Sequence, residues 1–231
     1  LGDRLMYRLA YRNFGDHEAA VVSHTVDVSG TGNGQTGLRW YELRNLSATP
    51  TVFQSGTYAP DSNFRWMPSV AMDKFGEMAA GYSVASTSMN PSIFISTRSA
   101  SDPAGTLGNE TLIQTGGGST GDNRWGDYTA MTVDPVDDCT MWYIDQFLGP
   151  QTMPDVQFSW DTRIANFKMS TCATEFNLGA PSLSTLSVAE MGASQNDNFQ
   201  VSAGGSFSQS VNLSCLGLPA GASCSFSPSS S

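Results

Sequence analysis

The sequence has few charged residues and almost no lysine. Charged residues make up 14% of its 231 positions, and Lys74 and Lys168 are its only lysines. Its 11 basic residues are outnumbered by 21 acidic ones, which gives a formal net charge of −10 at pH 7. A chain with this balance is repelled by nucleic-acid phosphates and by anionic membrane surfaces, so we expect neither as a partner.

The sequence also lacks long hydrophobic runs and helical periodicity. No run approaches the roughly 18 apolar residues of a membrane-spanning helix, so we expect no membrane insertion. No segment of ten or more residues keeps an apolar period of 3.6, which argues against a helical fold. Cys-x-x-Cys is absent, and Gly-x-Ser-x-Gly occurs only in the glycine-rich stretch Gly116–Gly121, with no predicted helix after it to form a nucleophile elbow. We therefore assign no catalytic and no metal-binding residue from these motifs.

What the sequence does contain is a repeat of about sixty residues. The clearest copies are Arg4–Ala10, Arg65–Ala71 and Arg124–Ala130. A second anchor, an aromatic-containing segment that ends in arginine, recurs at Trp40–Arg44, Phe94–Arg98 and Ser159–Arg163. Short apolar stretches alternate with Gly, Pro, Asn and Asp inside each unit, which predicts four short strands per unit.

Four strands per repeated unit are typical of a propeller blade. We predict an all-β chain in which residues 1–172 form a partial β-propeller of three four-stranded blades, at about 1–60, 61–121 and 122–172. The fourth strand of the third blade is not evident. Since a propeller has at least four blades, we expect further blades upstream in a longer chain.

The composition changes after Lys168, the last basic residue. We predict a linker over 173–182 and the truncated start of an Ig-like β-sandwich over 183–231. Its predicted strands are Phe199–Ser202, Ser206–Leu213 and Ser223–Phe226.

Four cysteines allow three disulfide pairings. Cys139 and Cys172 flank two segments that would pair as antiparallel strands, and Cys215 and Cys224 flank a short connection. We predict the disulfides Cys139–Cys172 and Cys215–Cys224, and with them a secreted or cell-surface location, because disulfides persist in oxidising compartments. The alternative is four buried free thiols in a cytosolic protein.

Two stretches resemble known families. Val211–Pro228, with its pattern Leu-x-Cys-x-Gly-Leu-Pro-x-Gly-x-x-Cys-x-Phe-x-Pro, resembles the Ig-like repeats of large secreted bacterial proteins, which implies a stalk or spacer. Residues 1–172 resemble sialidase-like (BNR-type) propeller regions of secreted bacterial proteins, most distinctly at Arg124–Tyr128 and Val133–Cys139. The Asp-box of true sialidases, Ser-x-Asp-x-Gly-x-Thr-Trp, is absent from all three units.

The sialidase resemblance implies a site in which arginines bind a carboxylate beside a tyrosine, a glutamate and an acidic residue. We predict a ligand-binding rim for a glycan or an acidic peptide, built from Arg4, Arg65, Trp66, Arg124, Trp125, Asp127 and Tyr128. The alternative for the repeated arginines is a structural bond to the neighbouring blade. Aromatic rings of this kind also pack blades together.

Three functions remain open at this point. The first is a non-catalytic binding or adhesion module on an Ig-like stalk, recognising a glycan or a cell-surface protein. The others are a sialidase-type glycoside hydrolase and a purely structural surface protein. No cofactor is expected, although the carboxylates of Asp134–Asp138 could hold calcium if they are more than turn residues.

Overall fold

A computed structural model describes residues 4–32, 34–121, 124–150, 159–173, 176–179, 181–182, 193–203, 210–211, 213–215 and 218–227. The chain divides into two compact units, Leu1–Met169 and Ser170–Ser231. The described residues are strands and loops apart from one helical turn, α1 (Ser170–Ala173). The predicted all-β class is therefore confirmed.

Three antiparallel sheets make up the first unit. The first sheet consists of β1 (Ala10–Asn13), β2 (Glu18–Asp27), β3 (Thr36–Arg44) and β4 (Thr51–Tyr58). The second sheet consists of β5 (Phe64–Met72), β6 (Met78–Ser86), β7 (Met89–Arg98) and β8 (Glu110–Gln114). The third sheet consists of β9 (Ala130–Val133), β10 (Met141–Gly149) and β11 (Ser159–Phe167). Within each sheet the strands lie in chain order, as the repeat predicts.

A Phe-Gly pair follows the repeated arginine at the same offset in the first two units, as Phe14-Gly15 and Phe75-Gly76, and it lies in the turn between the first two strands of each sheet. Gly15 and Gly76 have φ angles of 90° and 77° there, a left-handed conformation that glycine adopts without a steric penalty. The third sheet has a longer turn, in which Asp138 has a φ of 56°. The repeat therefore marks equivalent turns in the first two sheets.

The second sheet is buried on both faces because it lies between the other two. On one face, Val70, Met72, Ala80 and Tyr82 pack with residues of the first sheet such as Trp40. Alternate positions point the other way, where Ala71, Ala79, Ile93 and Ile95 pack with Met131, Met141 and Tyr143 of the third sheet. Gly81 is required at this contact, because a Cβ there would lie 2.4 Å from the Tyr143 ring.

Two predictions for the third sheet are wrong. It has three strands rather than four among the described residues, because the described chain passes from β11 into α1. The second anchor of the repeat is also out of register here. Arg44 and Arg98 end β3 and β7, whereas β11 continues for four residues past Arg163 and ends at Phe167. The pattern of an aromatic residue followed by arginine does not fix where a strand ends.

The second unit contains a short antiparallel pair, β12 (Phe176–Leu178) and β13 (Val201–Ala203), close to the predicted strand Phe199–Ser202. The predicted strand Ser223–Phe226 is wrong, since these residues are described and not in a strand. Most of the predicted strand Ser206–Leu213, and residues 183–192, lie outside the described residues.

All four cysteines are in disulfides, and Cys215 is bonded to Cys224 as predicted. Cys139 and Cys172 are the other two disulfide-bonded cysteines, and both are buried. Disulfides are typical of proteins from oxidising compartments, which is compatible with an extracellular location. No helix within the described ranges has the length and hydropathy of a membrane span.

Candidate functional site

The three repeated arginines have three different environments. Arg65, in β5, is fully buried and makes a two-pronged ion pair with Glu110 at the start of β8. Its Nε lies 2.7 Å from Glu110 Oε1, and its Nη2 lies 2.9 Å from Oε2. Asp61 is a second acidic partner, 2.9 Å from Nη1. Arg65 therefore has its charge neutralised within the protein.

A tyrosine completes the buried network around Arg65. The Tyr82 hydroxyl donates a hydrogen bond of 3.1 Å to Glu110 Oε1, and burial together with the Glu110 charge raises the pKa of Tyr82. The sequence did not indicate Tyr82 or Glu110 as site residues. They form the kind of Tyr–Glu–Arg cluster that a sialidase-type site contains, but Tyr82 is inaccessible and retains its proton.

Arg4 is found with two of the other predicted site residues on an exposed surface. Its Nη2 lies 3.7 Å from Asp127 Oδ1, and its guanidinium lies 5.4 Å from the centre of the Tyr128 ring. The Arg4 and Asp127 side chains are 45% and 62% exposed, so water screens the pair strongly. This cluster is open and weakly held.

Arg124 lines an open groove of about 520 Å³ together with Phe64, Trp66 and Trp125. The rest of the lining includes small hydroxyl side chains such as Ser86, Thr87 and Ser119. Arg124 is exposed, and no ion pair joins it to any residue that the structure describes. The groove thus has an aromatic wall, an arginine and several hydroxyl groups. Three of the seven predicted site residues meet here.

Trp125 is held in place from three sides. Its ring makes edge contacts with Trp66 at 5.4 Å and with Trp160 at 5.2 Å between ring centroids. In the amide orientation that satisfies both donors, Gln146 accepts hydrogen bonds from Trp125 Nε1 at 2.8 Å and from the Gly126 amide at 2.7 Å. The sequence indicated Trp66 and Trp125 but not Gln146 or Trp160 as parts of this arrangement. The aromatic wall is consequently rigid before any ligand binds.

The backbone at Met67 positions Trp66 in this wall. The pairing of β5 with β6 shifts between Trp66 and Ser69, and Met67 has a φ of 52°, which is uncommon for a residue with a side chain. Bonds to both neighbouring sheets hold this irregularity. Met67 N donates to Thr25 Oγ1 at 3.2 Å, and Thr129 Oγ1 donates to Met67 O at 2.9 Å. The backbone next to Trp66 is therefore fixed by hydrogen bonds to side chains on both sides of the second sheet.

A second cavity, of about 320 Å³, lies where β1, β5 and β9 meet, and its lining includes Arg8, Arg12 and Asp138. Arg12 uses three of its five N–H donors within the protein. It makes two hydrogen bonds to the Asp138 carboxylate and a third, from Nε, to Met72 O at 2.9 Å. The charged side chains Arg12 and Asp138 of this cavity are therefore engaged with each other, whereas Arg124 in the groove is not in an ion pair with the described residues.

The carboxylates suggested for calcium are occupied by other contacts. Asp134 accepts from Trp142 Nε1 at 2.9 Å, and Asp137 lies 2.9 Å from Lys168 Nζ. Asp138 binds Arg12. No group of three or more potential ligands is positioned for a metal ion within the described part of the chain.

The carboxyl group of Asp145 is buried in the interior, close to the strand that carries Trp66. Asp145 Oδ2 accepts hydrogen bonds of 3.0 Å from Ser83 and from Tyr143, and Ser83 is the strand partner of Trp66. Burial raises the pKa of Asp145 to about 7. Asp73, also buried, has its pKa raised to about 6 by desolvation. Asp145 is thus protonated and uncharged at mildly acidic pH.

The fold and the site together define an all-β, disulfide-containing protein with a rigid aromatic groove that carries one arginine. Comparisons with protein-family models, curated proteins and solved structures gave no match to this chain.

Proposed function

We propose that this chain is part of an extracellular, non-catalytic binding module, and that the groove at Trp66, Arg124 and Trp125 binds a glycan with an acidic group. The observation that carries the proposal is an exposed arginine beside a preformed aromatic wall. Aromatic rings stack on the apolar faces of sugars, and an arginine fork binds a carboxylate or sulfate through two hydrogen bonds.

The proposal includes a propeller architecture for the first unit. Three antiparallel sheets whose strands lie in chain order, with the middle sheet covered on both faces, support this assignment. A ligand groove formed where successive sheets meet is also typical of such repeat folds. The Ig-like assignment of the second unit rests on the Cys215–Cys224 disulfide and on the sequence resemblance.

The hydrolase alternative has less support. Its chemistry needs arginines that converge on a substrate and a tyrosine that can lose its proton. Arg65 is instead occupied by Glu110 and Asp61, and Tyr82 is buried with a raised pKa. The binding function needs an accessible arginine, which Arg124 supplies, and the part of the Trp66 and Trp125 rings that faces the groove.

A glycan array tests the proposal. We expect the wild-type chain to bind acidic glycans in preference to their neutral counterparts, for example sialyllactose in preference to lactose. Arg124→Ala should lose this preference, and Trp125→Ala should lose binding to both. Arg8→Ala is the matched control, because it removes the same charge from an exposed site outside the groove. Equal binding by all four proteins, or no binding to any acidic glycan, would refute the proposal.

A further inference from the structure

The third sheet ends in an exposed edge strand that could pair with another strand. In the first two sheets, β4 and β8 cover the edge of the third strand, whereas β11 is the outermost described strand of its sheet. It is nine residues long, and most of its side chains are exposed. Ile164 is 60% exposed, and Trp160 is 42% exposed. An edge of this length offers a row of backbone donors and acceptors to a second chain.

The sequence of β11 is complementary to itself in one antiparallel register. A two-fold axis through Thr162 places Asp161 opposite Arg163 of a second copy, and Arg163 opposite Asp161. The same register places Trp160 opposite Ile164 on the other face of the sheet. Opposite charges and aromatic–aliphatic pairs are the cross-strand pairs that stabilise antiparallel sheets.

The neighbouring symmetric registers do not share this property. Moving the axis by one residue places Asp161 opposite Asp161, or Arg163 opposite Arg163, and like charges in that position repel. Charged residues on an edge strand ordinarily oppose pairing of this kind. In β11, Asp161 and Arg163 disfavour the neighbouring registers and favour the register centred on Thr162.

From this self-complementarity we infer that the occupant of the β11 edge is a second copy of the chain, paired through β11 in a two-fold symmetric dimer. The two third sheets join into one continuous sheet, and the contact is isologous. A contact made mainly by one strand per partner is smaller than a standard protein interface, so the dimer is weak and depends on protein concentration. This inference does not require that the groove binds a glycan, although Trp160 also contacts Trp125 in the groove wall.

Sedimentation velocity over a concentration series tests the dimer. The wild-type chain should shift from monomer to dimer at micromolar concentration, and Asp161→Arg and Arg163→Asp should each weaken dimerisation at least about tenfold, because each places like charges opposite one another. The double variant D161R/R163D restores the opposite charges and should restore the dimer. An equimolar mixture of the two single variants should also dimerise, because one carries two positive charges and the other two negative charges at these positions.

Arg8→Asp is the control for the change in net charge, and it should dimerise as the wild type does. Each variant is first checked for a native circular-dichroism spectrum, which we expect because both side chains are exposed. A wild-type chain that stays monomeric overturns the inference, and hydrogen-exchange protection of the β11 amides that face away from β10 would then show that another segment covers the edge. A dimer that survives the single reversals, or that the double variant does not restore, overturns it as well.

Discussion

The second and third copies of the repeat both contain Arg-Trp, and both tryptophans line the groove, yet Arg65 is buried and Arg124 is open to it. Arg65 is fully buried against Glu110, while Arg124 is exposed. The two tryptophans contact each other, so the groove forms where the two copies meet. The comparison teaches that position in a repeat does not determine a role. Arg65 is buried with two acidic partners and supports the fold, whereas Arg124 is exposed without an ion pair to the described residues and is available to a ligand.

The largest effect is expected from breaking the Arg65 ion pair. Arg65→Met leaves the Glu110 carboxylate without its main cation, which should lower the free energy of unfolding by about 3–5 kcal/mol. Urea denaturation measures this loss. Adding Glu110→Gln removes the unpaired charge and should recover part of the stability. A loss below about 1 kcal/mol for the single variant would mean that the pair is not a structural element.

The buried acid behind the groove should make stability depend on pH. Because the pKa of Asp145 is raised to about 7 in the folded state, the folded chain binds the proton more tightly than the unfolded chain. Its contribution to stability is therefore present at low pH and is lost as the pH rises from about 4 through about 7. Asp73, with a pKa raised to about 6, acts in the same direction.

Asp145→Asn should remove the Asp145 part of this dependence and leave the Asp73 part, because the amide mimics the protonated acid. The wild-type chain should lose roughly 2–4 kcal/mol of this contribution between about pH 4 and pH 8, and the variant much less. Urea denaturation at several pH values measures both profiles. Identical slopes for the two proteins would show that Asp145 does not titrate in this range.

Substitution of Arg124 should affect binding and leave stability nearly unchanged. The side chain is exposed and makes no ion pair with the described residues, so Arg124→Ala should change the free energy of unfolding by less than about 0.5 kcal/mol. Its affinity for sialyllactose should fall at least about tenfold, which corresponds to the loss of a charge-assisted contact. Calorimetric titration and urea denaturation of the same preparation separate the two effects. A large loss of stability would place Arg124 in the same structural class as Arg65.

The smallest effect is expected at the first copy of the repeat. The ion pair between Arg4 and Asp127 is long and exposed, so Asp127→Asn should cost less than about 0.5 kcal/mol. Thermal denaturation at low and high salt measures it. A larger, salt-sensitive loss would show that this copy also has a structural role.

The sequence predicted the strands of the first two sheets better than those of the rest of the chain, and it did not predict the partners of the arginines. Short apolar stretches between turn residues predicted four strands in each unit, and the first two sheets have four strands each. No local pattern indicated that Glu110, 45 residues away, would neutralise Arg65. No sequence pattern indicated Gln146 as a site residue either, because its contact with Trp125 depends on how the strands of the third sheet are placed. Local periodicity predicts individual strands, whereas the contacts of the site residues depend on how the sheets pack against one another.

The most direct test of the binding site is a nuclear magnetic resonance titration that observes the indole N–H signals of the five tryptophans. Assignment uses single Trp→Phe variants, and the probes are sialyllactose and lactose. We predict that sialyllactose shifts the signals of Trp66 and Trp125, and that buried Trp40 and Trp142 on the outer face of the third sheet stay in place. Shifts confined to Trp142, or no shift at saturating sialyllactose, would contradict the account.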